Sequence, residues 1–142
     1  MKNIAKTTLL ALLLGNGVFA AAGHHSNADY DGIQIKHVGH SELGDPATVL
    51  EVMSETSRAL AQGEVRVTVL ASPINPSDLL QIAGNYGVDP VLPARPGSEG
   101  VGRVTEVFSD VQTLKVGQLV LLASGSTWAE ELVAPAAGFL PL

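Results

Sequence analysis

Valine alternates with polar residues over residues 64–70, where the sequence reads E-V-R-V-T-V-L. Successive side chains of a β-strand point to opposite faces, so the alternation predicts a strand with one apolar and one polar face. The apolar face is formed by Val65, Val67 and Val69. The polar face is formed by Glu64, Arg66 and Thr68. This is the clearest strand pattern in the chain.

Shorter apolar runs predict further strands at about residues 33–38, 49–53, 101–108, 119–123 and 127–134, with the beginning of another at 139–142. Residues 56–62 are compatible with either a helical turn or a loop. The chain has 15 glycines and 8 prolines, which suits short strands joined by tight turns, such as the turn expected at residues 43–46. Together these patterns predict a mainly β fold, a partly open barrel with one or two short helices.

One short helix is predicted at about residues 76–83. Asn75 is a good N-cap residue, and Pro76 falls at the first helical position, where a missing N–H costs nothing. Asp78 at the third position suits the helix dipole, so we expect it to have a structural role. Gly84 fits just past the end of the helix. The apolar side of the helix is formed by Leu79, Leu80 and Ile82.

The first 22 residues have the pattern of a signal peptide. Lys2 and Lys6 precede an apolar run at residues 7–14, and small residues follow it. The run is too short to span a bilayer. We therefore expect a signal peptide at residues 1–22, a polar linker at 23–31, and export to the periplasm or the exterior, with membrane contact only during export. An amphipathic N-terminal helix or a wrongly chosen start codon, with a cytoplasmic protein, is the alternative.

Composition limits the possible classes of protein. The length of 142 residues, with 46% hydrophobic and 15% charged residues, indicates one globular domain. The net charge of −6 and the scattered basic residues argue against nucleic-acid binding, which needs clustered Lys and Arg. Because the chain has no cysteine, disulfide bonds and thiolate metal sites are excluded.

Four histidines, His24, His25, His37 and His40, raise the question of a metal site. Adjacent histidines point apart on a strand, and their spacing matches no common ligand pattern. We therefore expect them to be solvated linker residues, and we expect no metal.

A glycine-flanked tyrosine follows the predicted helix. The stretch I-N-P-S-D at residues 74–78 is followed by G-N-Y-G at 84–87 and by L-P-A-R-P-G-S-E-G-V-G at 92–102. These motifs resemble the medium-chain dehydrogenase/reductase superfamily, above all its zinc-free 2-enoyl thioester reductases and quinone reductases. The resemblance runs from about residue 33 to 142. It corresponds to the N-terminal, alcohol dehydrogenase-like domain of that superfamily, which has a chaperonin-10-like fold.

The resemblance implies a catalytic role for Tyr86 and a cofactor-binding role for Asn75. In the enoyl reductases, the matching tyrosine is the proposed proton donor after hydride transfer, a reaction within the reach of a phenol. The residues alone favour a loop tyrosine packed on a neighbouring strand with its hydroxyl in water. The matching asparagine of related reductases lies near the nicotinamide end of the cofactor, and Asn75 can have that role as well as capping the helix.

Ser98 stands where zinc-dependent members of the superfamily carry a metal-ligating histidine. With no cysteine in the chain either, the resemblance implies a site without zinc, since a catalytic zinc needs three protein ligands. Glu99 is expected to anchor its loop by hydrogen bonds. Trp128 is expected either to close one wall of the cleft or to pack in the core.

Two hypotheses about function follow. The family's nucleotide-binding domain is not found in residues 1–142, so residues 32–142 would be the substrate-binding and catalytic half of an NADPH-dependent reductase, inactive alone. Its substrate would be an enoyl thioester or a quinone, its cofactor NADP, and it could form a homo-oligomer. The alternative is an exported, non-enzymatic β-barrel that serves as a binding or interaction module.

Overall fold

The structure, a computed structural model, describes residues 32–142. The predicted signal peptide and linker lie outside the described residues, so both stay predictions. No helix within the described range is long and apolar enough to cross a membrane. The elements, in chain order, are β1 (Gln34–Gly39), α1 (Pro46–Val49), β2 (Glu51–Thr56), β3 (Glu64–Ala71), α2 (Pro76–Ile82), β4 (Gly100–Val107), β5 (Leu119–Leu122), β6 (Glu131–Pro135), a 3-10 turn (Ala136–Gly138) and β7 (Phe139–Pro141).

The strands form two antiparallel sheets, so the predicted mainly β fold is confirmed. The larger sheet has the strand order β6-β3-β4-β5-β7, and β1 pairs with β2 in the smaller one. The alternating strand β3 lies between β4 and β6. Backbone hydrogen bonds fasten the small sheet to two loops, since Val38 N–H donates to Trp128 O over 2.8 Å and His40 exchanges two bonds with Ala94.

The predicted valine face of β3 forms the centre of the main core. Val65 and Val67 are fully buried, and the core continues into the other strands of the larger sheet. Residues packed with the β3 valines include Val104, Leu114, Val120, Leu122, Leu132 and Phe139. The core therefore lies on the face that the alternation predicts.

Trp128 belongs to a second, smaller core cluster, so core packing is the role the structure supports. Its ring packs with Val38, Val49 and Ile82 between the small sheet and α2. The indole N–H donates to Pro73 O over 3.0 Å, which satisfies its one polar group. Leu79 and Leu80, predicted on the apolar side of the helix, are exposed instead.

The polar face of β3 is covered as well. Arg66 is buried, and its guanidinium pairs with Glu106 on β4 and Glu131 on β6. It also donates to the Ser57 hydroxyl over 2.8 Å and to the Arg58 carbonyl. Arg66 thus joins two strands of the larger sheet to the loop after β2. Although Arg66 lies on the polar face of the alternating strand, it is not exposed to solvent.

One local prediction is incomplete and another is wrong. The predicted turn at residues 43–46 leads into α1, because the Asp45 carboxylate accepts the Ala47 N–H over 3.0 Å and Pro46 suits the first helical position. The strand predicted at 127–134 begins only at Glu131. The residues before it bond to a loop instead, since Trp128 N–H donates to Pro96 O over 3.1 Å.

The expectation that His37 and His40 are solvated is also wrong. His37 lies in β1, and His40 is almost fully buried with its Nδ1 2.9 Å from Glu42 O. Nδ1 of His37 is buried without a hydrogen-bond partner. Burial, and then the nearby Arg95 charge, lower the pKa of His37, with Glu55 opposing them. His37 and His40 are therefore part of the folded domain. His24 and His25 lie outside the described residues.

Candidate functional site

A group of polar side chains meets where α2 begins. We call it the polar junction, and it consists of Ser72, Asn75, Asp78, Ser98, Glu99 and Thr127. The group joins four parts of the chain: the end of β3, the first turn of α2, the loop before β4 and the segment before β6. Two of the family motifs, I-N-P-S-D and G-S-E-G, are thereby brought into contact.

Asp78 is the buried member of the polar junction, with 1% of its surface exposed. One carboxylate oxygen accepts the Asn75 N–H over 2.9 Å, and the other accepts the Ser98 hydroxyl. A buried carboxylate is tolerated when its oxygens are hydrogen-bonded in this way. The sequence placed Asp78 in a purely helical role, whereas the structure shows that it also connects α2 to the loop before β4.

Glu99 anchors its loop through both backbone and side chain, as expected. Its carbonyl lies 2.9 Å from the Ser72 hydroxyl and 2.8 Å from that of Thr127. Its carboxylate accepts the Asn75 side-chain N–H over 3.1 Å. The two hydroxyls are themselves only 2.7 Å apart, so these contacts form one small network around a single carbonyl.

Gly97 allows the loop to approach this network. Its φ is +101°, a region that side chains rarely adopt. A Cβ atom there would lie 2.4 Å from Thr127 Oγ1 and 2.5 Å from Trp128 Cδ1. The glycine is therefore needed both for the backbone angle and for the close contact with Thr127 and Trp128.

Tyr86 lies at the tip of the turn that ends α2. The helix is closed by Asn85 N–H, which donates to Leu80 O over 2.8 Å, and Gly84 has the left-handed φ expected of a residue past a helix end. Tyr86 is 53% exposed. Its side chain is therefore partly accessible, and both the catalytic role and packing on a neighbouring strand stay predictions.

The residues around Tyr86 are unusually apolar for an exposed surface. The exposed apolar side chains of α2 and the loop after it are Leu79, Leu80, Tyr86, Val88, Val91 and Leu92. Val91 is 91% exposed. We call this stretch, residues 84–92 with the outer side of α2, the tyrosine loop region.

Two adjoining cavities are found among the described residues, and one of them borders the polar junction at Ser98. One, of about 610 Å³, is lined by Gln81, Gly97, Ser98 and neighbours, and the other, of about 530 Å³, by residues of β2, β6 and the loop between β2 and β3. Both share the wall formed by Pro93, Arg95, Ser124, Gly125 and Ser126. Ser98 thus lines one cavity, whereas Tyr86 and Asn75 line neither of these two cavities.

Comparison with known proteins places the domain. Residues 61–142 match the alcohol dehydrogenase GroES-like domain family. The chain is 40% identical to human mitochondrial enoyl-[acyl-carrier-protein] reductase over 124 residues, which are 86% of this chain and 33% of the relative. It is 47% identical to the rat protein over 101 residues, 70% of this chain and 27% of that one.

Solved structures agree with the sequence comparison. The complex of Etr1p with NADP and crotonyl-CoA superposes with a TM-score of 0.71 at 33% identity, covering 78% of this chain and 34% of that one. A Bacillus thuringiensis protein described as a putative NADPH:quinone reductase gives 0.72 at 36% identity, with the same coverage.

The fold and motifs therefore define a GroES-like domain of the alcohol dehydrogenase type. The chain belongs to the medium-chain dehydrogenase/reductase superfamily, among the relatives of the enoyl thioester and quinone reductases. It spans about a third of the length of the curated relatives it matches.

Proposed function

We propose that this chain is the substrate-binding and catalytic half of an NADPH-dependent oxidoreductase that acts on an enoyl thioester or a quinone. The observation that carries the proposal is the likeness to Etr1p, at 33% identity and a TM-score of 0.71, in a complex that contains NADP and crotonyl-CoA. Because the chain corresponds to about a third of that protein, we propose that it needs a nucleotide-binding domain to act.

Tyr86 is the proposed proton donor. With an enoyl thioester, addition of hydride at the β-carbon leaves an enolate, and the phenol gives its proton to the α-carbon; water then returns a proton to the phenolate. The 53% exposure of Tyr86 supports this role, because about half of the residue is accessible to a ligand that approaches the turn. With a quinone, the same proton would go to an oxygen of the reduced ring.

The described residues fit only one end of the cofactor. Bound NADPH would supply the hydride. Asn75 offers an amide for the nicotinamide end, held beside Glu99 at 3.1 Å. The helices within residues 32–142 have four and seven residues, so neither resembles the longer helix that follows a dinucleotide-binding turn. We propose that the phosphates are held by the nucleotide-binding domain.

A catalytic zinc does not fit the residues present. Ser98, in the place of the ligating histidine, donates its hydroxyl to Asp78. Among residues 32–142, no group of three or more His, Cys, Asp or Glu side chains is arranged to hold a metal. We therefore propose a reaction without zinc; one tightly bound zinc per purified chain, found by elemental analysis, would refute this.

Export is proposed from the sequence alone. Lys2 and Lys6 with the apolar run at residues 7–14 support a signal peptide at 1–22 and a periplasmic or secreted protein. N-terminal sequencing of protein from the native host tests this, and an intact Met1 would favour the cytoplasmic alternative.

Activity should require both domains. The experiment compares the 142-residue chain with the same chain joined to a nucleotide-binding domain of an enoyl thioester reductase, following NADPH oxidation with crotonyl-CoA and with a quinone. Positioning of both reactants supplies on the order of 7–11 kcal/mol of the catalysed barrier, so the chain alone should be inactive. The joined protein should reduce one of the two substrates, and inactivity with both would refute the proposal.

A further inference from the structure

The two ends of an asparagine amide have nearly the same shape but opposite hydrogen-bonding roles. The NH₂ end only donates and the oxygen only accepts, so the neighbours decide which way the amide faces. An ionised carboxylate only accepts. Because Glu99 Oε1 lies 3.1 Å from Asn75 Nδ2, Glu99 is compatible with only one of the two orientations of the Asn75 amide.

Glu99 is itself held in place, although its side chain is exposed. Its carbonyl is fixed by the Ser72 and Thr127 hydroxyls at 2.9 and 2.8 Å, and Thr127 is fully buried. The neighbouring Ser98 donates to the buried Asp78. The backbone of the loop is therefore tied on both sides of the Glu99 side chain.

Asn75 is held from its other side by Asp78. The Asp78 carboxylate accepts the Asn75 backbone N–H over 2.9 Å, which fixes the residue at the start of α2. The backbone N–H of Asn75 is thus held by Asp78, and the nitrogen end of its side-chain amide is held by Glu99. One amide hydrogen is engaged by Glu99, and the second hydrogen of the same NH₂ group remains a donor.

We infer that Glu99 is a positioning residue that orients the Asn75 amide so that this second hydrogen faces an oxygen acceptor of the ligand, the carboxamide oxygen at the nicotinamide end. The inference rests on the proposed function for the identity of the ligand. The orientation itself follows from the contacts within the polar junction. Glu99 acts through Asn75 and need not touch the ligand.

The orientation is tested on the 142-residue chain by ¹⁵N-edited NMR of the Asn75 side-chain amide. Glu99→Ala removes the acceptor, so the Asn75 amide resonances should shift and its hydrogens should exchange with water about fivefold faster, the effect of losing one hydrogen bond. Glu99→Gln keeps an oxygen acceptor and should restore part of the protection. Glu51→Ala, an exposed residue of β2, is the matched control and should leave the Asn75 amide unchanged.

Backbone resonances that keep their dispersion would show that each variant remains folded. An Asn75 amide that is the same in the wild type and Glu99→Ala would overturn the inference, whatever the reaction proves to be.

The functional consequence is tested in the protein joined to a nucleotide-binding domain. Glu99→Ala should raise KM for NADPH by about three- to tenfold, the effect of one misdirected hydrogen bond, and change kcat less. Glu99→Gln should recover part of the loss. An unchanged KM for NADPH in an active joined protein would overturn the role of Glu99 toward the cofactor. If the joined wild type is inactive, the proposed function fails, while the NMR experiment still decides the orientation of Asn75.

Discussion

The polar junction and the tyrosine loop region meet at α2 but differ in how their side chains are held. In the polar junction, Asp78 and Thr127 are buried and each polar group described has a partner within the domain. In the tyrosine loop region, Tyr86, Val88 and Val91 are exposed. The domain therefore holds the side chains of the polar junction in place through its own contacts. Tyr86, the proposed proton donor, and the apolar side chains around it are instead exposed and accessible to a ligand.

The largest stability effect should come from crowding the polar junction. Gly97→Ala combines a φ of +101° with a Cβ only 2.4 Å from Thr127 Oγ1, so we expect a loss of about 3 kcal/mol or more in the free energy of unfolding. Gly117→Ala is the matched control, because Gly117 has a φ of +88° and open space around it. Urea denaturation should show a clearly smaller loss for Gly117→Ala. Equal losses would mean that crowding at the polar junction contributes nothing.

In the exposed tyrosine loop region we expect the opposite result, a substitution that hardly changes the free energy of unfolding. Val91→Ala should change the free energy of unfolding by less than about 0.5 kcal/mol, because Val91 is 91% exposed. Val104→Ala, in the core of the larger sheet, is the matched contrast and should cost about 2 kcal/mol. The loss expected for Val104→Ala is therefore smaller than that for Gly97→Ala and larger than that for Val91→Ala. A loss of the same size for Val91→Ala would show that the tyrosine loop region is packed in solution.

Acid should weaken the ion pair between Arg58 and Glu64, which lies at the start of β3. The Arg58 guanidinium, bonded to Glu64 at 2.7 and 2.8 Å, lowers the pKa of that carboxyl from 4.5 to about 2. A lowered folded-state pKa means that the stabilisation is present above pH 4.5 and is lost as the pH falls towards 2. Arg58 is more than half exposed, so solvent screening limits the effect to roughly 1 kcal/mol.

Glu64→Gln is the variant that checks this assignment. The difference in the free energy of unfolding between wild type and Glu64→Gln should be present at pH 6 and shrink between pH 4.5 and 2. A difference that stays constant across that range would show that the ion pair does not contribute.

The sequence predicts the sheet better than it predicts the polar junction, for a physical reason. Alternation along β3 reports burial directly, so Val65, Val67 and Val69 were assigned correctly. The contact between Asp78 and Ser98 joins residues 20 positions apart, and no local pattern reports it. Asp78 already has a sufficient role at the third position of the helix, so the sequence gives no reason to expect its contact with Ser98.

Arg66 and Thr127 show the same limit at other positions. Arg66 follows the polar phase of the alternation, yet it is buried, because two carboxylates and a loop meet it there. Thr127 was expected in a strand, but its N–H donates to Gly97 O over 3.2 Å instead. In both cases the partners come from distant parts of the chain. Tyr86 and Asn75 came from motif resemblance, and their roles stay proposals.

The central claim, that Tyr86 supplies the proton in a reductase made by this domain and a nucleotide-binding domain, is tested most directly by Tyr86→Phe in the joined protein. The change removes only a hydroxyl from a residue that is 53% exposed, so stability and KM should be almost unchanged. Turnover of crotonyl-CoA should fall by roughly a hundredfold or more, the effect of losing a general acid. Val88→Ala, in the same loop, is the control and should keep its turnover. Turnover unchanged in Tyr86→Phe would contradict the account.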